Sequence, residues 1–236
     1  MTCILLTGSS RGIGAAAKSA LEARGAKVIG QATSSDRTDT VPADFSEPFA
    51  ARELWDAALA RAGGTIDVLV NNAGRFVASP LDASDMQWLD AWEDTLRINL
   101  TAAAQLSRFV VQHWQERKVS GRIVHVASRA GHRGDSPAHW HYAASKGGML
   151  AMHKSIARAY AGENILSFAI TPGFTDTAMA GDYLESRGGP GLLADIPLGR
   201  VAEPEEIAKL IEFCALDAPA SMTGATLDAN GASYVR

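Results

Sequence analysis

Tyr142 and Lys146 stand four residues apart in the stretch Tyr142-Ala-Ala-Ser-Lys146. On a helix that spacing puts them on one face, one turn from each other. A phenol beside an ammonium can give and take a proton nearer neutral pH than a free phenol can. The positive charge favours phenolate and is expected to draw the tyrosine pKa down from about 10. Fourteen residues before Tyr142 comes the hydroxyl of Ser128. The loop between them, residues 129–141, is polar and carries His132, His139 and His141 beside Trp140. Three histidines invite a metal, yet no acidic or cysteine partner completes a ligand set. No metal is expected; the rings read as lining for the substrate side or as plainly exposed.

A second cluster could hold phosphate. An apolar run at residues 3–7 meets the turn Thr7-Gly8-Ser-Ser10-Arg11-Gly12-Ile13-Gly14. A helical stretch at 15–24 follows, Gly25 ends it, and 27–32 reads as a second strand. Glycines at the first turn of such a β-α-β unit let the backbone approach a pyrophosphate, and the helix N-terminus favours its charge. The second strand ends Gly30-Gln31-Ala32-Thr33-Ser34, with no acid at its tip. An acid there would suit the ribose of NAD; its absence suits the phosphate of NADP. Arg11 could reach that phosphate, Thr33 and Ser34 could add hydroxyls, and Arg37 is a second cation. Asp36 argues the other way but lies beyond the strand end. The reading is NADP(H), with NAD(H) as the alternative.

The remaining elements must bring these groups together. The crossover from 35 to 46 is too short for a full helix, so a loop is expected before a third strand at 41–43. Asp44 and Phe45 end that strand, where Asp44 could bond an adenine amino group or serve only as a turn acid. A helix to about Ala62 and a buried strand at 66–70 lead to Asn71-Asn72-Ala73-Gly74, small residues at a strand's C-terminal end, where open α/β sheets bind ligands. A short helix is expected at 82–90 and a long one at 92–118, carrying Asn99. Trp88 and Trp92 at helical spacing suit the core or a subunit interface. Further strands are expected at 122–127, ending at Ser128, at 165–170, ending at Pro172-Gly173, and at 226–229, with helices at 142–161 and 204–216. The stretch 174–200, with Gly181, Gly188, Gly189, Pro190 and Gly191, suits a lid within a single domain spanning 1–236.

Composition sets bounds. A chain of 236 residues with a net charge of −4 is ordinary for one α/β domain and lacks the basic surplus of a nucleic-acid binder. Cys3 and Cys214 lie far apart in apolar contexts and read as buried thiols. No apolar run approaches the ~18 residues of a membrane span, and no signal peptide is apparent. A cytoplasmic location is the expectation.

Together these residues resemble the short-chain dehydrogenase/reductase family. The likeness runs in register along nearly the whole chain: the glycine turn, Asn71-Asn72-Ala73-Gly74, Asn99, Ser128, Tyr142-x-x-x-Lys146 and Pro172-Gly173. Residues 25–30, Pro172-Gly-Phe and Asn230-Gly231 look most like β-ketoacyl carrier-protein reductases, which use NADPH. The resemblance implies a Rossmann-type doubly wound parallel sheet of about seven strands, order 3-2-1-4-5-6-7, with helices on both faces. It implies that Tyr142 is the general acid/base, that Lys146 bonds the nicotinamide ribose, that Ser128 holds the substrate oxygen and that Asn99 holds a relay water. Gly8, Ser10, Arg11, Gly12, Ile13 and Gly14 would cradle the diphosphate end and Asp44 and Phe45 the adenine. Asn72, Ala73 and Gly74 would line the cofactor cleft, with Pro172, Gly173, Thr175 and Thr177 at the carboxamide and neighbouring phosphate. The implied activity is hydride transfer between NADP(H) and a ketone or secondary alcohol, of β-ketoacyl type, in a homo-oligomer such as a tetramer. The alternative is a non-catalytic dinucleotide sensor or scaffold. Phe168 stands where relatives often have Asn.

Overall fold

The computed structural model describes residues 1–34, 38–177 and 189–236. Seven strands form one sheet: β1 (Cys3–Leu6), β2 (Lys27–Ala32), β3 (Thr40–Pro42), β4 (Val68–Asn71), β5 (Gly121–Val126), β6 (Ile165–Pro172) and β7 (Thr226–Ala229). Every pairing is parallel, and the order β3-β2-β1-β4-β5-β6-β7 is the one expected. The chain reverses its direction of winding between β1 and β4, so loops at their C-terminal ends part and leave a crevice.

Side chains alternate across the strands and divide the core in two. Leu5, Ile29, Leu69 and Ile123 point to one face, against α2 (Ala50–Ala62) and α4 (Ala102–Arg117) with Trp55, Phe109 and Trp114. Ile4, Leu6, Val28, Val70 and Val124 point to the other, against α1 (Gly12–Ala23) and α8 (Pro204–Glu212) with Leu21, Ile207 and Ile211. Burial on both faces explains why these strands are apolar runs rather than alternating ones. Phe168 belongs to the second layer and is wholly buried, with the Arg122 guanidinium 5.9 Å from its ring. Cys3 and Cys214 are both free and buried.

Several boundaries differ from the sequence reading. The break expected after Asp90 is absent. Ser84 and Gln87 form a capping box that starts α3 at Asp85, and it runs unbroken to Leu96. Trp88 and Trp92 therefore share that helix and stack at 5.3 Å, both only partly buried. One wide turn, Arg97–Thr101, then joins α3 to α4. Such turns insert one extra residue into the hydrogen-bond ladder and often mark functional sites; this one carries Asn99. The other helices are the short α5 (Ala130–Arg133), the long α6 (Trp140–Tyr160) and α7 (Gly189–Ala194).

The link from β2 to β3 is a loop in its described residues, as expected. Lys18 of α1 reaches across to Asp39 at 2.5 Å and ties that loop down. Asp36 and Arg37 lie outside the described residues, as do Gly181 and Gly188 of the expected lid. Beyond them Thr175 bridges to Ala202, which fastens the near end of that stretch to the body. No helix among the described residues is long and apolar enough to cross a membrane.

Candidate active site

The C-terminal ends of β1, β4, β5 and β6 open into a cleft of about 820 Å³. Its floor is the glycine turn. Gly8 and Gly12 have φ of 64° and 52°, which side chains resist, and a Cβ on Gly14 would lie 1.9 Å from the Gly8 carbonyl oxygen. The turn can therefore fold this tightly only without side chains at these three positions, and it leaves backbone N–H groups at the start of α1 open to an anion. Arg11 caps that helix with extended backbone and an exposed side chain at the mouth. Asn72 clamps the turn from β4: its amide donates to the Thr7 and Gly8 carbonyls at 3.0 Å each. The Thr7 hydroxyl in turn accepts from the backbone N–H groups of Asn72 and Ala73.

Gln31 is a member that the sequence reading missed. It is buried, accepts from the Gly8 N–H at 2.8 Å and donates to the Ala43 carbonyl at 2.7 Å. It thus braces the turn against β2 and the end of β3. Its signal was a lone amide inside an apolar strand. Thr33 is exposed just past that strand. Asp44 is held as a turn acid, accepting from the backbone and hydroxyl of Ser46, which draws its pKa below the usual carboxylate value. It also lines the cleft beside Phe45, so the two readings of this residue are compatible.

The opposite wall carries Ser128, Tyr142 and Lys146. Ser128 lies two residues past the end of β5 and is nearly buried; its hydroxyl accepts from the Ala130 N–H at 3.1 Å and bears on the Tyr142 phenol, favouring its phenolate. Lys146 lies one turn along α6, buried, and donates to the Val126 carbonyl at 2.9 Å. Its nitrogen is 5.8 Å from the centre of the Tyr142 ring. The wide turn holds Asn99 with its amide donating to the Arg75 carbonyl and the Ser145 hydroxyl, and its oxygen accepting from the Arg75 N–H. Asn99 is wholly buried and stands behind the cleft surface, close to Gly74 and Lys146.

With this geometry in view, known proteins place the chain. The family model described as enoyl-(acyl carrier protein) reductase matches residues 8–231. The 3-oxoacyl-acyl-carrier-protein reductase FabG of Escherichia coli K12 is 34% identical over 243 residues, covering 98% of this chain and 96% of its own. The chain belongs to the short-chain dehydrogenase/reductase family. An acetoacetyl-CoA reductase of Shinella zoogloeoides is also 34% identical, covering 98% of this chain and 97% of its own. Among solved structures, a short-chain type dehydrogenase/reductase from Mycobacterium marinum superposes with a TM-score of 0.88 at 25% identity, over 98% of this chain and 95% of that one. A 4-hydroxyisoleucine dehydrogenase complexed with NADH also gives 0.88, at 27% identity and 98% of both chains. As a short-chain dehydrogenase/reductase, the chain is an oxidoreductase of CH–OH groups.

The electrostatics of this dehydrogenase/reductase site correct one expectation. Burial pushes the Tyr142 phenol up to about 12, rather than down, and the charge of Asp135 adds to the rise; the Ser128 hydrogen bond opposes it. Lys146 does not offset it, because its ammonium is turned to the Val126 carbonyl and is itself pulled down to about 8 by burial. At neutral pH the phenol keeps its proton and is a proton donor.

The histidines are a second correction. His139 and His141 are buried, not exposed. His139 stacks on Phe76 at 4.1 Å and hydrogen-bonds the Ser136 hydroxyl; His141 lies against the Val77 carbonyl at 3.1 Å. Phe76 in turn sets its ring at right angles to Tyr142, 4.7 Å away. The loop's rings are thus the packing that fixes the phenol, while His132 stacks on Tyr234 near the C-terminus. Every other expected cofactor residue lines the cleft: Ser10, Ile13, Ala73, Gly74, Pro172, Gly173, Thr175 and Thr177. Residues 129 and 133–136, Phe174 and Asp195 also line it, and the sequence reading had not singled them out for the site.

Proposed function

We infer that the protein reduces a ketone to a secondary alcohol, and runs the reverse oxidation, with NADP(H). One observation carries this reading: Ser128, Tyr142 and Lys146 share the wall opposite an anion-receptive glycine turn in a single cleft. The residues fit a dinucleotide. The turn offers backbone N–H groups to the diphosphate, and Asn72, Ala73 and Gly74 leave room for a flat ring. Arg11 and Thr33 flank the ribose end, and the strand tip Ala32-Thr33-Ser34 carries no acid, which supports a 2′-phosphate. When bound, the nicotinamide would supply or accept the hydride at the carbonyl carbon.

The chain's own groups do the rest. Ser128 donates to the substrate oxygen and orients it towards the phenol. Tyr142 delivers its proton to that oxygen as negative charge grows there. Lys146 would bond the ribose of a bound nicotinamide and return a proton towards Tyr142, and Asn99 would hold the water through which that proton comes. Relatives titled as 3-oxoacyl and acetoacetyl reductases support a β-ketoacyl-type ketone as the first to try.

Tyr142→Phe tests the reading. It should lower kcat for ketone reduction by about 100-fold or more while NADPH still binds with similar affinity. Unchanged turnover would sink the catalytic assignment and leave a dinucleotide sensor or scaffold.

A further inference from the structure

On its substrate side the cleft wall carries Arg129, Arg133, Asp135 and Asp195. Three of these answer one another: Asp195 Oδ2 lies 3.1 Å from Arg133 and 3.9 Å from Arg129. Asp135 stands outside that group. Its Oδ1 accepts from the Ser136 N–H at 2.7 Å, within its own turn, and its Oδ2 has no partner among the described residues. The backbone presents this carboxylate. Gly134, which ends α5, has φ 82° and ψ −178°, a conformation essentially confined to glycine. Past it the chain is pinned. The Ser136 carbonyl accepts from the His139 N–H at 2.9 Å, the Ser136 hydroxyl hydrogen-bonds the His139 ring at 2.7 Å, and the Ala138 carbonyl accepts from the Ser79 N–H at 2.8 Å. Asp135 is thus exposed on a fixed loop in the cleft that also holds Ser128 and Tyr142. Its charge reaches the phenol and helps to keep it protonated.

We propose that Asp135 is a specificity-determining residue, whose carboxylate accepts a hydrogen bond from a hydroxyl or ammonium carried close to the reacting carbonyl of the substrate. The proposal rests on the reductase reading and narrows its ketones to those with such a donor. A hydrogen bond to a carboxylate is about twice as strong as one between neutral groups. A carboxylate already fixed in place forms it at little further cost in ordering. A ketone bearing an acid group would meet the like charge of Asp135, and a plain alkyl ketone would leave that charge unanswered in the closed complex.

Two matched series test this, followed by NADPH or NADH oxidation at neutral pH. One is 1-aminopropan-2-one, 1-hydroxypropan-2-one and butan-2-one; the other is 4-aminobutan-2-one, 4-hydroxybutan-2-one and pentan-2-one. Within each, only an ammonium, a hydroxyl or a methyl group differs. The ratio of kcat/KM for each donor ketone over its alkyl counterpart is compared between the intact protein, Asp135→Asn and Asp135→Ala. The intrinsic reactivity of each ketone and any change at the phenol cancel in that comparison. Asp135→Asn should cut the ammonium ratio by about five-fold or more, because the charge goes, and the hydroxyl ratio less, because an amide oxygen still accepts. Asp135→Ala should cut both. A merely structural role would move all ketones of a series together. A ratio lost for one donor alone supports the assignment and names that donor as the ligand. Ratios equal in all three proteins overturn it and leave the reductase reading intact. Absence of any dinucleotide oxidation across both series overturns both.

Discussion

Tyr142 and Lys146 are displaced in opposite senses by the same cause. Burial disfavours charge, so the phenol holds its proton up to about 12 and the ammonium gives its own up near 8. Near neutral pH both carry a proton, which is the state needed to reduce a carbonyl. On the proposed NADP(H) reading, cofactor choice turns on Arg11. It is exposed at the cap of α1, and no ion pair among the described residues holds it elsewhere. Arg11→Ala should raise KM for NADPH by about ten-fold or more while changing that for NADH little, since only NADPH carries the 2′-phosphate that Arg11 would bond. An equal change in both, measured by initial rates, would remove the 2′-phosphate role. At this scale the sequence was most legible where only one residue type serves. Gly14 admits no Cβ, and a phenol one turn before an ammonium has few bland uses. Gln31 stayed hidden because its worth depends on the Gly8 N–H and Ala43 carbonyl, which the fold brings from different segments.

Between β5 and α6 lies a buried pair that the sequence pattern did not announce. His125 and His153 are wholly buried with ring centres 5.9 Å apart. His125 meets the Asn71 amide, and His153 the Ser167 hydroxyl. Desolvation first, then the neighbouring positive groups, lowers His125 to about 3; burial lowers His153 to about 4. Unfolded, each ring would take a proton near 6.5. Between those values the unfolded chain binds more protons, so the pair's contribution is full above pH 6.5 and drains as pH falls towards 4 and 3. The loss for His125 alone is on the order of 3 kcal/mol or more. The melting temperature should drop from pH 6.5 to 4.5, and His125→Gln should flatten that slope. A slope unchanged in the variant would show that other groups set the acid limit. The elements themselves were readable from apolar runs and their punctuation. The wide turn at Arg97–Thr101 was not, because nothing in its composition departs from a helix; the extra residue is imposed by holding Asn99 against Arg75 and Ser145.

Among the described residues the core has two main layers, and an apolar face is left uncovered along α3. Met86 is 74% exposed and Leu89 49%, beside the partly buried stack of Trp88 and Trp92. An apolar patch of this kind marks an interaction surface. A dimer or tetramer should therefore appear by light scattering at micromolar concentration; a monomer would leave these side chains without a purpose. The sheet order was legible because the motifs come in register with the strands that end at them. The substrate wall was not, since it is assembled from distant stretches: Arg129 and Arg133, Phe174, Asp195, and the chain's final turn. That last contribution has a practical side. His132 rests on Tyr234, Arg133 bonds the Ser233 carbonyl, and Arg236 is tied to Asp228. The last four residues are thus a prop for the pocket rather than a loose end. A tag joined after Arg236 should bear on what the enzyme accepts while leaving dinucleotide binding alone, and one joined before Met1, at the opposite ends of the strands, should change neither.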